Sequence, residues 1–184
     1  MNLSHRYDVA LVYAHGLHRR QQRKGTRIPY VSHLLSVSSL VVEHGGNENE
    51  AIAALLHDAA EDQGGEQRLQ EIREHFGDEV AGIVGDCTDA WEEPKPDWLP
   101  RKQAYIASLE HKALPSLRVS LADKVHNAES LLRDYRREGE ATFTRFSGGA
   151  EGTRWYYRAL HECFQRKLPG ELCDRLGRAV EGLG

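Results

Sequence analysis

Apolar side chains recur three and four residues apart along most of the chain. The positions are Val9, Val12 and Tyr13; Leu34, Val37 and Val41; Ile52, Leu55 and Leu56; Val80, Ile83 and Val84; Val125, Ala128, Leu131 and Leu132. Alternating strand patterns are missing, so the spacing predicts an all-α protein. Start and stop signals agree. Asn47 can cap a helix running to about Asp62, with Glu50 at the capping-box position and Gly64-Gly65 as its stop. Pro29 precedes a second helix, roughly Tyr30 to His44, which ends at Gly45-Gly46. Two stretches read as loops: Trp91 to Pro100, with three prolines, and Gly139 to Thr153, with four glycines. From Arg154 onward two closing helices, spanning about 154–182, are separated at Pro169-Gly170.

Composition narrows the class without naming a function. The 184 residues fit a single compact multi-helix domain over 1–184, and 40% hydrophobic with 28% charged residues is a globular balance. A net charge of −4 speaks against a nucleic-acid-coating protein but permits a local basic pocket. The three cysteines, Cys87, Cys163 and Cys173, read as buried thiols of a reducing compartment, with a Cys163–Cys173 disulfide as the alternative. The N-terminus has no apolar signal core, and runs such as AIAALL are too short to span a membrane. A cytoplasmic protein with no membrane partner is expected, of unknown oligomeric state.

The chemistry concentrates in AALLHDAAEDQGG, residues 53–65. At about 100° per helical residue, His57, Glu61, Asp58 and Asp62 share one arc. Three carboxylates then crowd a helix C-terminus, where the macrodipole is already negative, and a divalent cation beside a histidine would compensate them. On its own the segment reads equally as a solvated acidic helix end. A second segment, VSLADKVHNAESLL over residues 119–132, places Asp123 in an apolar helical stretch, a costly position for a charge unless it is paired or metal-bound. Lys124 is adjacent, although neighbouring helical residues do not face one another, and Asn127 shares the Asp123 face. His33, in IPYVSHLLSV, has apolar neighbours and by itself reads as a core histidine. The set His33, His57, Asp58 and Asp123 suits Mn²⁺, Fe²⁺ or Zn²⁺ and is too nitrogen-rich for Ca²⁺. Four protein ligands on a six-coordinate ion leave room for water and a substrate oxygen.

Other features bear on a substrate. Arg19, Arg20, Arg23, Lys24 and Arg27 place five cations in nine residues, either a phosphate-binding patch or a solvated basic helix end. The 139–153 segment, with Phe143, Arg145 and Phe146, is either a cover over the substrate or a mobile linker. Trp155, Tyr156 and Tyr157 read mainly as core, with one tyrosine able to reach a pocket.

The order His, His-Asp, Asp resembles the HD-domain metal-dependent phosphohydrolases. The blocks RKGTRIPYVSH, AALLHDAAED, FGDEVAGIVGDCTD and LADKVHN are similar to the hydrolase domain of the Rel/SpoT enzymes and to stand-alone small alarmone hydrolases. The resemblance runs from about Tyr13 to Leu132 and more loosely through residues 155–160. It implies an Mn²⁺-dependent enzyme that removes pyrophosphate from the 3′ position of ppGpp or pppGpp. By position it implies metal ligands at His33, His57, Asp58 and Asp123, a catalytic acidic pair at Glu61 and Asp62, and substrate contacts at Arg23, Lys24 and Asn127. Departures from the family pattern are Leu34 after the first histidine, Gln63 after the acidic pair and Ser120 before Leu121; they bear on substrate placement. An HD phosphohydrolase acting on another nucleotide, such as ppApp or a simple monophosphate, and a nucleotide-binding regulator without turnover are the competing readings.

Overall fold

The computed structural model describes residues 2–91 and 94–184. Among them there is no strand, and the one β-type pairing is an isolated antiparallel bridge between Gln22 and Pro29. The expected all-α architecture is therefore met. Helix α1 (His5–Leu17) begins where the Ser4 hydroxyl accepts the Arg6 N–H. It is followed by α2 (Val31–Glu43) and α3 (Glu48–Leu56). At the start of α3 both halves of the capping box form: Asn47 accepts the Glu50 N–H, and Glu50 accepts the Asn47 N–H. The remaining helices are α4 (Ala59–Gln63), α5 (Gly65–Phe76), α6 (Asp78–Cys87), α7 (Trp98–Ser108), α8 (Leu114–Glu138), α9 (Gly149–Lys167) and α10 (Glu171–Gly182).

Helix α3 is the centre of the molecule because its sequence is apolar all round from Ala51 onward. Ala51 to Leu56 are each fully buried, and a helix with no polar face must be surrounded. It packs against α1, α2, α6 and α8. From α1 it receives Ala10 and Ala14, both fully buried, while Val9 is 42% and Val12 73% exposed. Of the face expected to be core, Tyr13 packs against the core but Val9 and Val12 point outward. Small side chains let α1 approach closely, and its branched residues face solvent. The 25-residue helix α8 runs along α2, α3, α6 and α10 and carries Leu121, Ala122, Val125 and Ala128 into the core. All three cysteines are free and buried, so the disulfide alternative is not realised.

Three boundaries differ from expectation, each for a local reason. The helix expected to reach Asp62 is interrupted at His57 and Asp58, where the His57 Nδ1–H donates to the Ala54 carbonyl at 2.8 Å and takes an acceptor that a continuous helix would use. Helix α7 begins at Trp98, inside the proline-containing stretch; residues 92 and 93 of that stretch lie outside the described residues. The 139–153 segment is ordered as a 3₁₀ helix over Gly139–Arg145, and α9 then starts at Gly149, earlier than the expected 154. Its glycines have a packing reason. A Cβ on Gly148 would lie 2.6 Å from the Trp98 ring and one on Gly152 3.1 Å, so the indole is seated where side chains are absent.

The capping box makes the N-terminus of the central helix sensitive. Asn47→Ala is expected to cost about 1 kcal/mol, or about 2–4 °C in Tm, measured by thermal or urea unfolding.

Candidate metal centre and active-site cleft

The interruption after α3 aims His57 and Asp58 inward at the point reached by His33 from α2 and Asp123 from α8. His57 Nε2 lies 3.0 Å from Asp58 Oδ2 and 3.6 Å from Asp123 Oδ1; His33 Nε2 lies 3.2 Å from Asp123 Oδ1 and 3.6 Å from Asp58 Oδ2. Neighbouring ligand atoms around one cation, each about 2.0–2.2 Å from it, are about 3.0–3.4 Å apart, so the observed edges match a common centre. Both Nε2 atoms are buried and have no hydrogen-bond partner among the described residues, an arrangement that leaves two polar atoms unsatisfied without a further group between them. The Nδ1 of each ring is used elsewhere: His57 donates to Ala54 O, and His33 faces His126 Nδ1 at 2.7 Å. His33, His57 and Asp58 therefore fit a divalent metal, with donor atoms grouped within 4.8 Å of one another.

The local field is strongly negative. Burial pulls the His57 imidazole toward neutrality, but the Asp58 and Asp123 carboxylates overcome it and hold the ring well above its usual range. Burial pushes the Asp58 carboxyl up, yet the two imidazoles, led by His57, hold it well below the ordinary carboxylate range. Against the same burial, Lys124 and the two imidazoles do the same for Asp123. Lys124 does pair with Asp123, at 2.7 Å, despite being its chain neighbour. Tyr30 donates its hydroxyl to Asp58 Oδ2 at 2.6 Å, and Asn127 donates to Asp123 Oδ1.

Above this cluster opens a cleft of about 570 Å³. Its lining holds eight cationic side chains against five carboxylates, so the basic pocket that the net charge permitted exists. Of the five cations clustered in sequence, Arg23 and Lys24 line it and Arg19, Arg20 and Arg27 do not. The bridge at Gln22–Pro29 closes the loop that carries Arg23, and Gly25 at its tip has φ +73° and leaves room for Arg145, whose Cδ would lie 2.8 Å from a Cβ there. Arg145 and Phe146 also line the cleft, whereas Phe143 is 2% exposed and belongs to the core. Asn127 links wall to floor: it accepts from Arg23 at 2.5 Å and donates to Asp123.

The acidic pair is divided. Glu61 lines the cleft and is held by Lys95 Nζ at 2.7 Å and the Asp89 N–H at 3.0 Å. Asp62 lies outside the lining and accepts from Gln21 at 2.8 Å. Burial, aided by the Asp58 charge, raises the Asp62 carboxyl above its usual range.

Several contributors escaped sequence reasoning. Arg101 and Lys102 both bind Asp89 and line the cleft from α7, where no local pattern marks them. By contrast, Tyr156, one of the tyrosines expected to be able to reach a pocket, is 7% exposed, lines the cleft with Tyr157 and has a hydroxyl without a partner among the described residues. His18 stacks on Tyr30, with centroids 5.2 Å apart, and meets Gln21 at 2.6 Å, so it braces the loop against α4.

Known proteins bear on this geometry. The family model described as HD domain matches residues 10–153. Over 138 residues the chain is 36% identical to the Xenopus tropicalis guanosine-3′,5′-bis(diphosphate) 3′-pyrophosphohydrolase MESH1, a match covering 71% of this chain and 72% of that protein. Its human counterpart is 34% identical over 63% of this chain and 64% of its own length. A Synechocystis protein named probable guanosine-3′,5′-bis(diphosphate) 3′-pyrophosphohydrolase is 29% identical over 66% of this chain but only 16% of itself. Among solved structures, a Listeria monocytogenes protein superimposes with a TM-score of 0.71 at 28% identity, covering 81% of this chain and 96% of its own. A metazoan SpoT ortholog shares the fold with a TM-score of 0.65 at 24% identity, covering 92% of this chain and 99% of its own. The chain belongs to the HD-domain family, among relatives of the MESH1 type.

Proposed function

We propose that this protein is a metal-dependent hydrolase that removes pyrophosphate from the 3′ position of a guanosine alarmone such as ppGpp, with one divalent ion, Mn²⁺ in the first instance, held by His33, His57, Asp58 and Asp123. The observation that carries the reading is the meeting of two orphaned imidazole nitrogens and two carboxylates on the floor of a cation-rich cleft. The MESH1 relatives, named for this reaction, support the choice of substrate. The domain is proposed to span the whole of 1–184.

A pyrophosphate ester resists hydrolysis because its anionic oxygens repel an incoming nucleophile. A divalent ion, when bound, lowers the pKa of water and neutralises phosphoryl charge. The chain's own groups do the rest. Glu61 and Asp62 are the proposed acidic pair that orients the attacking water and exchanges a proton with it; Glu61 faces the cleft directly, whereas Asp62, one turn from Asp58, lies outside its lining. Water adds to the phosphorus bonded to the 3′ oxygen, the O3′–P bond breaks, and the ribose oxygen gains a proton as pyrophosphate leaves. Arg23, Lys24 and Asn127 are the proposed substrate contacts. The Arg23–Asn127–Asp123 chain of hydrogen bonds ties phosphate placement to a ligand carboxylate.

With Mn²⁺ present, ppGpp is expected to yield pyrophosphate and not orthophosphate. Parallel assays with ppApp and a generic phosphatase substrate discriminate the other nucleotide readings, orthophosphate release favouring a phosphatase and binding without products a regulator. Glu61→Gln and Asp62→Asn should each lower kcat by about 10²–10⁴-fold while Mn²⁺ affinity, read by titration, stays near that of the unsubstituted protein. Asp123→Ala should abolish the Mn²⁺-induced rise in melting temperature, a gain worth about 2.7 kcal/mol when free ion is 100 times its Kd. Full Mn²⁺ stabilisation in that variant would remove Asp123 from the ligand set.

A further inference from the structure

We infer that His126 is a positioning residue whose Nδ1 accepts the His33 Nδ1–H and thereby keeps His33 Nε2 as a bare lone pair directed at the metal centre. The inference rests on the metal reading above and adds a residue to it.

The two Nδ1 atoms are 2.7 Å apart, with ring centroids 4.8 Å apart and planes inclined by 35°. At that separation one nitrogen must carry a proton and the other must not, since two protons would collide and two lone pairs would repel. His33 is fully buried and its Nε2 lies between Asp58 Oδ2 and Asp123 Oδ1. A neutral imidazole that is to ligate through Nε2 has to hold its proton on Nδ1. His33 is therefore the donor and His126 the acceptor, with the His126 proton on Nε2. That arrangement is free to form, because His126 is half-buried and borders both the main cleft and a second, shallower cavity of about 430 Å³.

The other ligand imidazole shows why this matters. His57 donates its Nδ1–H to the Ala54 carbonyl, which can only accept, so its tautomer is set by the backbone. No backbone carbonyl accepts from His33 Nδ1; its partner is a side chain that can present either a donor or an acceptor. The proton pattern of one ligand is thus built into the helix and that of the other is delegated to a residue one turn C-terminal of Asp123 on α8. Removing the acceptor leaves a buried N–H unpaired and lets the ring rotate or hold its proton on the ligating nitrogen.

Partners of ligating imidazoles typically tune metal affinity by about 10–100-fold. Titration of metal-free protein with Mn²⁺, free ion being read by electron paramagnetic resonance, is expected to show that loss for His126→Leu. His126→Asn, whose Oδ1 can occupy the Nδ1 position as an acceptor, should recover most of the affinity. Melting curves in EDTA separate this from loss of fold. A second measurement needs no variant: in the Zn²⁺-loaded protein, long-range ¹H–¹⁵N correlations should find His126 protonated on Nε2 and bare on Nδ1. Unchanged Mn²⁺ affinity in His126→Leu, an Asn variant as weak as the Leu variant, or a His126 proton on Nδ1 would each overturn the role. Unsubstituted protein that binds neither Mn²⁺ nor Zn²⁺ would instead overturn the metal centre itself, and this role with it.

Discussion

Two carboxylates, Asp58 and Asp123, are held within reach of the same pair of buried imidazoles, and most of the surrounding structure answers that crowding. Like charges in a low-dielectric site repel strongly, so each carboxylate needs a donor. Lys124 takes Asp123 Oδ2, Asn127 donates to Oδ1, and Tyr30 donates to Asp58 Oδ2. Lys124 offsets one negative charge only. The residual charge, beside two buried Nε2 atoms with no hydrogen-bond partner among the described residues, is what makes a divalent cation the natural occupant.

The fold supplies this convergence through one unusual element. Helix α3 is buried on every side, so the residues immediately after it are delivered to the middle of the molecule rather than to its surface. There the His57 ring captures the Ala54 carbonyl, the helix stops, and Asp58 stands as the N-cap of α4. The same side chain thus ends the helix and fixes the tautomer it would need as a ligand. From there Asp62 accepts from Gln21, which lies beside His18, and Gln63 donates to Gln21, so the 21–30 loop is braced against α4.

What could be read in advance follows from how local the cause is. His57-Asp58 and Asp123 stood out because charged or ligating residues interrupt apolar helical runs, and a single helix period is enough to see that. Asn47 and Glu50 form their capping box because it depends on four consecutive residues. The break at His57 was not legible, since a continuous helix satisfies the same spacing and only the tertiary position of the ring decides between them. Val9 and Val12 misled for a related reason: hydrophobicity chose the face, but close approach to α3 favoured Ala10 and Ala14. Arg101 and Lys102 reach the cleft from a helix about forty residues beyond His57-Asp58, and nothing in their neighbourhood records that destination. Arg19, Arg20 and Arg27 show the converse, a charge cluster in sequence that the loop geometry splits between cleft and solvent.

The charge layout of the cleft also bears on what it would select. Asp58 and Asp123 lie at the floor and most cations at the walls, and several of those cations are already engaged: Arg101 and Lys102 by Asp89, Arg145 by Asp134. Such pairing attenuates each charge but holds the guanidinium and ammonium groups in place, so little side-chain entropy remains to be lost on binding. A ligand with a single phosphate could engage only one part of this array and would leave the other walls mutually repelling. For the proposed substrate, two diphosphate arms on opposite sides of one ribose can meet cations from the 21–30 loop, α7, α8 and the turn before α9 at once.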